Sequence, residues 1–404
     1  MRPGVNATLV NTSREVALGM RQDSNASSGV RQIAQVDDEL SGRTLGAYEI
    51  MGRLASGGMA SVYLGRRRGA RGFERLFAVK VLHRHLERHP DAVRWFLNEA
   101  RVAAQIHHPN VVSVVDVSDR SQAGCYMVMD YVPGDHLFNL LRAAGRRGRR
   151  IRVSDALRVI SDVLAGLAAA HRVQDEFGRP FELVHRDLSP HNVMLGEDGI
   201  ARITDFGVAQ ISGPAAAVRV RLVARRQPTA GKLAYMSPEQ ALGSRLDQRS
   251  DLFTVGILLW ESLVGKRLFA ARDRRSVVRR LCRSAVPAPS RFYPELAPYD
   301  ALTLRALSRS PAMRFQNADD FAQALELAAE QGAGLASQRV LGRLVRGLAA
   351  EKLDSERALL RYGSQRSDAG TGLRRRRDRS QPTAPRQDQA LVLPPPPPRG
   401  AFSA

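Results

Sequence analysis

The sequence predicts an α+β fold with two lobes, in which a small β-rich lobe precedes a larger and mainly helical lobe. From Tyr48 onwards, short apolar segments alternate with glycine-containing turns, which is typical of antiparallel strands. Beyond Gly134, long segments carry apolar residues at positions i, i+3 and i+4, which indicates helices with one buried face. We therefore expect an N-terminal lobe over about residues 48–132 and a C-terminal lobe over about residues 133–328.

The small lobe is predicted to begin with three strands. YEIMGRLASGGMASVYLGRR contains two apolar segments on either side of a glycine turn, and RLFAVKVL forms the third strand. After Asp91, AVRWFLNEARVAAQI has apolar residues at helical spacing, and VVSVVDVSD and CYMVMDYV return to strand character. The predicted order is therefore three strands, one helix and two strands, which together form a small antiparallel sheet with one helix.

Three segments of the larger lobe show the helical pattern. They are VSDALRVISDVLAGLAAAHRV, LFTVGILLWESLVG and ADDFAQALELAAEQ. The longest apolar run of the chain, Leu252 to Val264, lies in the second of them and contains Glu261. Because this run is too short to cross a bilayer, we expect a buried helix there and no transmembrane segment.

The segments on either side of the two lobes differ from them in composition. Residues 1–47 are rich in serine, asparagine and glutamine without sustained periodicity, so we expect a disordered N-terminal extension. The sequence LGRLVRGLAAEKLDSERALL predicts a helical extension within residues 329–363. Residues 364–404 contain an arginine run and five consecutive prolines, which predicts a disordered tail rich in arginine and proline.

The chain has 404 residues and a formal net charge of +21, which could indicate nucleic acid or an anionic membrane as a partner. However, only four of its 61 basic residues are lysines, which is typical of a general coding preference for arginine. No recognition motif with interleaved aromatic residues accompanies the charge. We therefore expect no specific nucleic-acid partner.

Cysteine content and the N-terminal sequence bear on the cellular compartment. The two cysteines, Cys125 and Cys282, lie far apart and offer neither a disulfide framework nor metal-ligand spacing, which suits a reducing environment. The polar start of the chain lacks the apolar core of a signal peptide. A cytoplasmic protein is therefore the expectation.

Four short motifs carry the residues with the clearest chemical potential. The first is Ala55–Val62 (ASGGMASV), a turn between two predicted strands in which glycines let backbone N–H groups approach phosphate oxygens. The second is Lys80, on an apolar strand, where a buried ammonium needs an anionic partner. Glu99, on the following predicted helix, is a suitable partner for Lys80.

The other two motifs contribute carboxylates and an amide. His185–Asn192 (HRDLSPHN) places Asp187 and Asn192 five residues apart in a loop, and Asp205–Gly207 (DFG) follows the short predicted strand ARIT. A carboxylate can accept a proton from a hydroxyl, and carboxylate and amide oxygens can bind Mg²⁺. Any one motif could be an ordinary capping or turn sequence. In this order and at this spacing, the four motifs match the requirements of phosphoryl transfer.

Together these motifs resemble those of the eukaryotic-type protein kinase family, in its bacterial serine/threonine branch. The resemblance covers residues 48–328 and includes Met129–Val132 as gatekeeper and hinge, Ser237–Glu239 at the end of the activation segment, Asp251 on the long apolar helix, and Arg314. It implies a bilobal protein-kinase fold and ATP-dependent transfer of the γ-phosphate of Mg-ATP to hydroxyls of protein substrates.

The resemblance also implies roles for individual residues. Lys80, held by Glu99, would bind the α- and β-phosphates. Asp187 would orient the protein hydroxyl and accept its proton, while Asn192 and Asp205 would hold Mg²⁺. The residues implied in ATP binding are Leu54, Gly57, Gly58, Val62, Ala78, Lys80, Met129, Asp130 and Val132.

Four positions depart from the family pattern. Ala55 and Ala60 replace the first and third loop glycines, and their methyl groups are expected to stiffen the loop. Ser189 replaces a lysine that reaches the transferred phosphate in the family, and Lys232 replaces a threonine that contacts that lysine. Because these two changes are reciprocal, we predict that Lys232 supplies the catalytic cation near Asp187. A solvated lysine without a catalytic role is the alternative.

The activation segment and its surroundings carry two further expectations. In the family, residues at the positions of Glu239 and Arg314 form an ion pair that supports this segment. Arg186 would, by resemblance, bind a phosphate on the segment, and Ser212 and Thr229 are the candidate phosphorylation sites. A polar loop without a regulatory role is the alternative for these two residues.

Two rival functions remain open at this stage. A pseudokinase scaffold would bind partners without phosphotransfer, and Ala55, Ala60 and Ser189 favour it, whereas the intact set of charged motif residues opposes it. A basic nucleic-acid or membrane binder would depend on the tail and lose affinity steeply with salt. Pro190 favours serine or threonine over tyrosine as the acceptor. The tail could bind acidic or SH3-like partners, although such segments are usually solvated linkers.

Overall fold

The computed structural model describes residues 39–121, 124–206 and 230–361. In these ranges the chain forms a β-sheet lobe followed by a helical lobe, so the predicted α+β class is confirmed. Ser212 and Thr229 lie outside the described residues, as does the tail with its predicted acidic or SH3-like partners. Within the described residues, no helix is both long and apolar enough to span a membrane.

The N-terminal lobe contains a six-stranded antiparallel sheet with the strand order β1-β2-β3-β4-β6-β5. Its strands are β1 (Thr44–Leu45), β2 (Tyr48–Ser56), β3 (Ala60–Arg68), β4 (Glu74–Leu82), β5 (Val114–Ser121) and β6 (Gly124–Asp130). The short helix α1 (Arg84–Glu87) and the longer helix α2 (Pro90–Ala103) lie between β4 and β5. Apart from β1 and α1, this is the predicted order of three strands, one helix and two strands.

Apolar residues cover both faces of this sheet. One face buries a cluster that includes Tyr48, Val79 and Val128. On the other face, Met127 packs in a cluster with Phe96 of α2. Residues alternate between the two faces along each strand, which explains why the central strands read as nearly continuous apolar runs in the sequence.

The folded region begins earlier in the chain than the sequence indicates. Leu40 and Leu45 are only 8% and 1% exposed, and both belong to the buried cluster that contains Tyr48. The expected disordered extension over residues 1–47 therefore does not reach residue 47. A two-residue strand is too short to produce a recognisable alternation of apolar and polar residues, so the sequence pattern could not reveal it.

The C-terminal lobe is built mainly of helices around one large apolar cluster. Its helices are α3 (Leu137–Arg146), α4 (Val153–His171), α5 (Ala230–Leu233), α6 (Pro238–Ala241), α7 (Gln248–Val264), α8 (Arg274–Arg283), α9 (Asp300–Ala306) and α10 (Ala318–Glu330). A small antiparallel sheet consists of β7 (Gly134–His136), β8 (Val193–Gly196) and β9 (Ala201–Ile203). Residues 250–264 of α7 are all buried, as predicted for the longest apolar run.

Two further helices follow α10 in the segment where the sequence predicts a helical extension. They are α11 (Gln338–Leu348) and α12 (residues 350–361). Ala349, with φ −102° and ψ 15°, interrupts the single helix that the apolar pattern suggests. Leu341 and Val345 of α11 and Leu353 of α12 are buried in the large apolar cluster of the C-terminal lobe. Both helices therefore pack against the domain.

Candidate active site

Strand register places several predicted ATP-binding residues on one face of the sheet. Val62 on β3 lies opposite Lys80 on β4, and Ala78 lies opposite Met129 on β6. Directly opposed residues of an antiparallel sheet share a face, and residues two apart on one strand also share a face. The side chains of these four residues therefore line one surface, which is the face covered by α2.

The remaining candidates for the adenine site lie at the border of this surface. The carboxylate of Asp130 accepts a hydrogen bond from Arg75 Nη2 at 2.7 Å, and its backbone N–H donates to Ser113 O at 3.0 Å. Val132 is partly buried against the cluster under α2. Leu54 is partly buried beside Leu64. An apolar surface with a few polar groups at its border is a common arrangement for binding a flat heterocycle.

Lys80 forms two short ion pairs. Its Nζ lies 2.6 Å from Glu99 Oε1 on α2 and 2.7 Å from Asp205 Oδ1, which follows β9. Burial lowers the pKa of Lys80, but the two carboxylates outweigh burial and raise this pKa above its ordinary value. Burial likewise raises the pKa of Asp205, but the Lys80 ammonium lowers it overall. The predicted contact between Lys80 and Glu99 is thus confirmed, and the pKa directions of Lys80 and Asp205 favour their charged forms.

The loop between α4 and β8 holds Asp187 and Asn192 together. Asn192 Nδ2 donates a hydrogen bond to the backbone oxygen of Asp187 at 2.7 Å, and Asn192 N donates to Ser189 O at 2.9 Å. Thr204 N donates to Asn192 O at 3.0 Å and so connects this loop to the residue before Asp205. The two candidate metal ligands, Asn192 and Asp205, therefore lie on directly bonded segments.

Asp251, near the start of α7, supports the backbone of the same loop. Its Oδ2 accepts a hydrogen bond from His185 N at 2.8 Å, and its Oδ1 accepts one from Arg186 N at 3.0 Å. His171 Nε2 lies 3.0 Å from Asp251 Oδ2. Burial raises the pKa of Asp251, but the contacts with His171 and His185 lower it overall. A buried carboxylate thus anchors the two residues that precede Asp187.

Two residues of the site have positive φ although they carry side chains. The φ angle is +63° at Arg186 and +59° at Asp205. Such conformations cost about 1–3 kcal/mol each and persist where the surroundings hold them. Arg186 is held by Asp251 at its N–H and by Gln240 Nε2, which donates to its carbonyl oxygen at 2.6 Å. The ion pair with Lys80 restrains Asp205.

Lys232 on α5 contacts Asp187 directly. Its Nζ donates to Asp187 Oδ1 at 3.0 Å and to Oδ2 at 2.8 Å. The Lys232 side chain is 62% exposed, so its ammonium faces the open side of the cleft. Ser189, where the family usually has the catalytic lysine, is only 8% exposed. The structure therefore brings Lys232 to the carboxylate beside which the sequence predicts it.

The glycine turn connects β2 and β3. Gly57 N donates to Ala60 O at 2.9 Å and closes the turn. Among the described residues, those with positive φ include neither Gly57 nor Gly58, nor either flanking alanine, Ala55 or Ala60. The two alanines are therefore accommodated without left-handed backbone. This turn begins directly after β2 and leads into β3, the strand that carries Val62.

The donor groups of the site suit Mg²⁺. Asp205 supplies an ionised carboxylate and Asn192 an amide, and Mg²⁺ prefers oxygen ligands of this kind. Because Asn192 Nδ2 donates to Asp187 O, its amide oxygen is the atom oriented for a cation. Among the described residues, no group of three or more His, Cys, Asp or Glu forms a metal site by itself. This fits an ion that shares two protein ligands with substrate phosphates.

The predicted ion pair below the activation segment is confirmed. Arg314 Nη1 lies 2.7 Å from Glu239 Oε1, and Arg314 Nη2 lies 2.8 Å from Oε2. The Arg314 side chain is completely buried, and Ser250 Oγ also donates to Glu239 at 2.7 Å. Burial raises the pKa of Glu239, but Arg314 outweighs burial and lowers it.

Sequence reasoning missed several residues that hold the site. His171 contacts Asp251 across 80 residues of sequence, and Gln240 contacts Arg186 across 54 residues. Another missed contact joins Tyr131 Oη to a glutamate 225 residues later. His171, Gln240 and this glutamate, Glu356, lie outside the short motifs, so no signal in the sequence singles them out.

Comparison with known proteins identifies the family. The family description "Protein kinase domain" matches residues 48–310. The chain belongs to the protein kinase family. Relatives of this kinase chain include "Tyrosine-protein kinase MasK" of Myxococcus xanthus, with 35% identity over 315 residues, 78% of this chain and 48% of the relative. "Serine/threonine-protein kinase PksC" of Streptomyces coelicolor is 36% identical over 284 residues, 69% of this chain and 48% of the relative.

Solved structures agree with this assignment. The kinase domain of PknI from Mycobacterium tuberculosis superposes with a TM-score of 0.53 at 27% identity, and the match covers 72% of this chain and 100% of that one. The predicted bilobal protein-kinase fold and the bacterial branch of the family are thus confirmed. This kinase chain spans about half the length of the curated relatives it matches.

Proposed function

We propose that the protein is a serine/threonine protein kinase that transfers the γ-phosphate of Mg-ATP to protein substrates, in bacterial signalling and in the cytoplasm. One observation carries the proposal. The site residues form a continuous series of contacts. Lys80 contacts Asp205, and Thr204, the residue before Asp205, contacts Asn192. Asn192 in turn contacts Asp187, which contacts Lys232. All the charged groups that phosphoryl transfer needs therefore meet in one cleft.

The apolar surface and the glycine turn would bind the nucleotide. Val62, Ala78 and Met129 share one face of the sheet, and Leu54 borders it, so the adenine ring would lie against them. Backbone groups of Asp130 and Val132 would bind the edge of the ring. Gly57 and Gly58 would cover the phosphates, whose α and β groups would contact the Lys80 ammonium.

The acceptor hydroxyl would be positioned by Asp187. The oxygen of the acceptor hydroxyl would form a bond to the γ-phosphorus. At the same time the bond between that phosphorus and the β–γ bridging oxygen would break, and ADP would leave with the electron pair. The hydroxyl proton would pass to the Asp187 carboxylate. When bound by Asn192 and Asp205, Mg²⁺ supplies positive charge that offsets the charge of the phosphates.

Lys232 would supply the second protein cation. Its contact with Asp187 supports this role, because the acceptor and the γ-phosphate would meet beside that carboxylate. The side chain is 62% exposed, so it would be able to turn towards a phosphate oxygen. A preorganised cation at the site of charge transfer lowers the barrier of the chemical step more than it strengthens ground-state binding. In this arrangement Ser189 would take the place of the family's threonine hydroxyl.

Serine or threonine as the acceptor is proposed from Pro190 in the catalytic loop and from similarity to kinases such as PksC. MasK, whose name includes tyrosine, is 35% identical, so the identity of the phosphorylated residue is a decisive measurement. Ser212 and Thr229 would be the sites at which phosphorylation regulates the enzyme, through Arg186.

The test is transfer from γ-labelled ATP with Mg²⁺ to the full chain and to a generic protein acceptor, with mass-spectrometric mapping of the product. Asp187→Asn should abolish labelling but retain ATP binding, whereas Asp319→Asn, on an exposed carboxylate, should not change either. Label on serine or threonine that depends on Asp187 is the expected result. ATP binding without transfer in the wild type would instead indicate a pseudokinase scaffold.

A further inference from the structure

Helix α12 binds the segment that joins the two lobes. We call residues 130–135, which run from the end of β6 into β7, the hinge segment. Tyr131 Oη donates to Glu356 Oε2 of α12 at 2.6 Å. Lys352, one helical turn earlier, donates from Nζ to Gly134 O at 2.8 Å and to Asp135 Oδ1 at 3.1 Å. One face of α12 thus contacts both ends of the hinge segment with charged groups.

These contacts are buried. Glu356 is 5% exposed and Asp135 is 7% exposed. Lys352 Nζ lies 3.7 Å from Glu356 Oε1, so the one ammonium serves both carboxylates. Burial raises the pKa of Glu356, and burial together with Glu356 raises the pKa of Tyr131. Because an unpaired polar group would be costly here, the arrangement strongly favours one position of α12 on the hinge segment.

The end of α12 reaches the N-terminal lobe. Leu359 is buried in a cluster with Met51 and Leu64 of the sheet, and Leu54 packs against this cluster. A Cβ atom added to Gly52 would lie 2.8 Å from Leu359 Cδ2, so the absence of a side chain at Gly52 makes room for the helix. The helix therefore touches the strand that carries a predicted adenine contact.

The helix before α12 is fixed to the C-terminal lobe. A Cβ atom on Gly342 of α11 would lie 2.5 Å from Glu197 O, so backbone meets backbone at the turn between β8 and β9. Arg346 Nη1 donates to Glu197 O at 2.7 Å, and Arg357 of α12 lies 3.3 Å from the Glu197 carboxylate. The C-terminal extension thus contacts the C-terminal lobe, the hinge segment and the N-terminal lobe.

We infer that Lys352, Glu356 and Leu359 are positioning residues that hold the hinge segment and Leu54 in the conformation that binds the adenine of ATP. This inference rests on the proposed function, because it assigns the hinge segment to the nucleotide. The three residues do not touch the nucleotide themselves. Glu356 acts through Tyr131, Lys352 through Gly134 and Asp135, and Leu359 through Leu54. If the binding-competent arrangement is less populated without them, the apparent affinity for ATP falls by the same factor.

The experiment measures ATP affinity, turnover at saturating ATP, melting temperature and amide hydrogen exchange of residues 131–135 in the full chain. The variants are Glu356→Ala, Tyr131→Phe and their combination, and Glu356→Gln, which retains an acceptor for the tyrosine. Glu351→Gln is the matched control, because Glu351 lies on the exposed side of α12. Leu359→Ala tests the contact with the N-terminal lobe.

Glu356→Ala and Tyr131→Phe are each expected to weaken ATP binding about three- to tenfold, with turnover at saturating ATP changed less than twofold. The double variant should be no weaker than the worse single variant, because both remove the same contact. Glu356→Gln should recover part of the affinity. Hinge amides should exchange faster in the Ala variant even without nucleotide.

Two results would overturn the inference in distinguishable ways. If the wild type binds ATP and the folded variants bind it equally tightly with unchanged hinge exchange, α12 does not position the hinge segment, and the proposed kinase function stands. If the wild type itself does not bind ATP, the proposed function and this inference fail together. Should Glu356→Ala not fold, Tyr131→Phe decides, since it removes only one hydroxyl.

Discussion

The ammonium of Lys232 donates to both carboxylate oxygens of Asp187, at 3.0 Å and 2.8 Å. The two residues are 45 positions apart and lie on different segments, namely α5 and the loop between α4 and β8, which we call the catalytic loop. Ser189 lies two residues after Asp187, at the position where protein kinases usually have the lysine that reaches the transferred phosphate. The cation next to the Asp187 carboxylate therefore comes from α5 and not from the loop that carries Asp187.

Lys232→Ala should lower turnover by about 10²-fold or more while the affinity for ATP changes less than about threefold, because a cation that acts mainly on the transferring phosphate affects the transition state more than the ground state. Turnover and ATP dissociation constants of the purified full chain measure the two effects separately. Lys266→Ala is the matched control, since it also removes a lysine. The Lys266 ammonium lies over the Phe292 ring, 5.0 Å from its centroid.

Exchanging the residues at positions 189 and 232 for those usual in the family gives a second test of this prediction. In the double variant Ser189→Lys with Lys232→Thr, the lysine returns to the catalytic loop, and turnover should exceed that of Lys232→Ala. Unchanged turnover in Lys232→Ala would show that this lysine is merely a solvated side chain, as its 62% exposure would also allow.

The sequence predicted the site's charged residues but not the contacts that hold them. Lys80, Asp187 and Asp205 were predictable because phosphoryl transfer requires these residue types in short motifs with a fixed order. The contact of His171 with Asp251 joins residues 80 positions apart, and that of Gln240 with Arg186 joins residues 54 positions apart. Many side chains could make such contacts. Such contacts depend on how helices pack, which local patterns do not encode.

The limits of local sequence patterns also explain which parts of the first strands and of the C-terminal helices were predicted. The strands from Tyr48 onwards were predictable because short apolar segments bounded by glycine-containing turns are typical of buried strands. The segment around Leu45 was not, because its strand has two residues. A helical pattern identified the extension that became α11 and α12, but the pattern alone could not show that Glu356 would be buried against the hinge segment.

Removing the Asp251 carboxylate should impair catalysis through the backbone. In Asp251→Ala, the N–H groups of His185 and Arg186 lose their acceptor, and Arg186 loses the contact that holds its positive φ. A misplacement of Asp187 by about 1 Å is expected to lower turnover on the order of 10²-fold. Steady-state kinetics and thermal unfolding of the variant check this expectation.

Asp155→Ala is the control for Asp251→Ala. Asp155 is also completely buried, but it lies at the start of α4 and pairs with Arg152. Its removal should lower stability while leaving turnover of the folded protein unchanged. Equal turnover in the Asp251 and Asp155 variants would contradict a specific role of Asp251 in positioning the catalytic loop.

Breaking the buried pair of Arg314 and Glu239 should destabilise the C-terminal lobe. In Arg314→Met, the Glu239 carboxylate stays buried without its bidentate partner, which is expected to cost about 3–5 kcal/mol in the free energy of unfolding. The exposed pair of Arg172 and Asp319 offers the comparison, and Arg172→Met should cost less than about 1 kcal/mol. Urea unfolding of both variants gives the difference, and equal losses would contradict this prediction.

Asp162 on α4 should make stability depend on pH in a defined direction. Burial raises the pKa of its carboxyl from 3.8 to about 6, although Ala201 N donates to it at 2.9 Å. Between these two values the folded protein binds more protons than the unfolded chain. The contribution of Asp162 to stability is therefore fully present below pH 3.8 and is lost as the pH rises through about 6.

Asp162→Asn removes this titration but keeps an oxygen acceptor for Ala201 N. Relative to the wild type, the variant should gain about 2 kcal/mol in the free energy of unfolding between pH 4 and pH 7, since most of a shift from 3.8 to about 6, at 1.36 kcal/mol per pKa unit, is developed in this interval. Chemical denaturation at several pH values measures the gain, with Asp319→Asn as an exposed control. Parallel curves for wild type and Asp162→Asn would show that Asp162 stays ionised in the folded protein, because Arg158, 3.7 Å away, would then offset its burial.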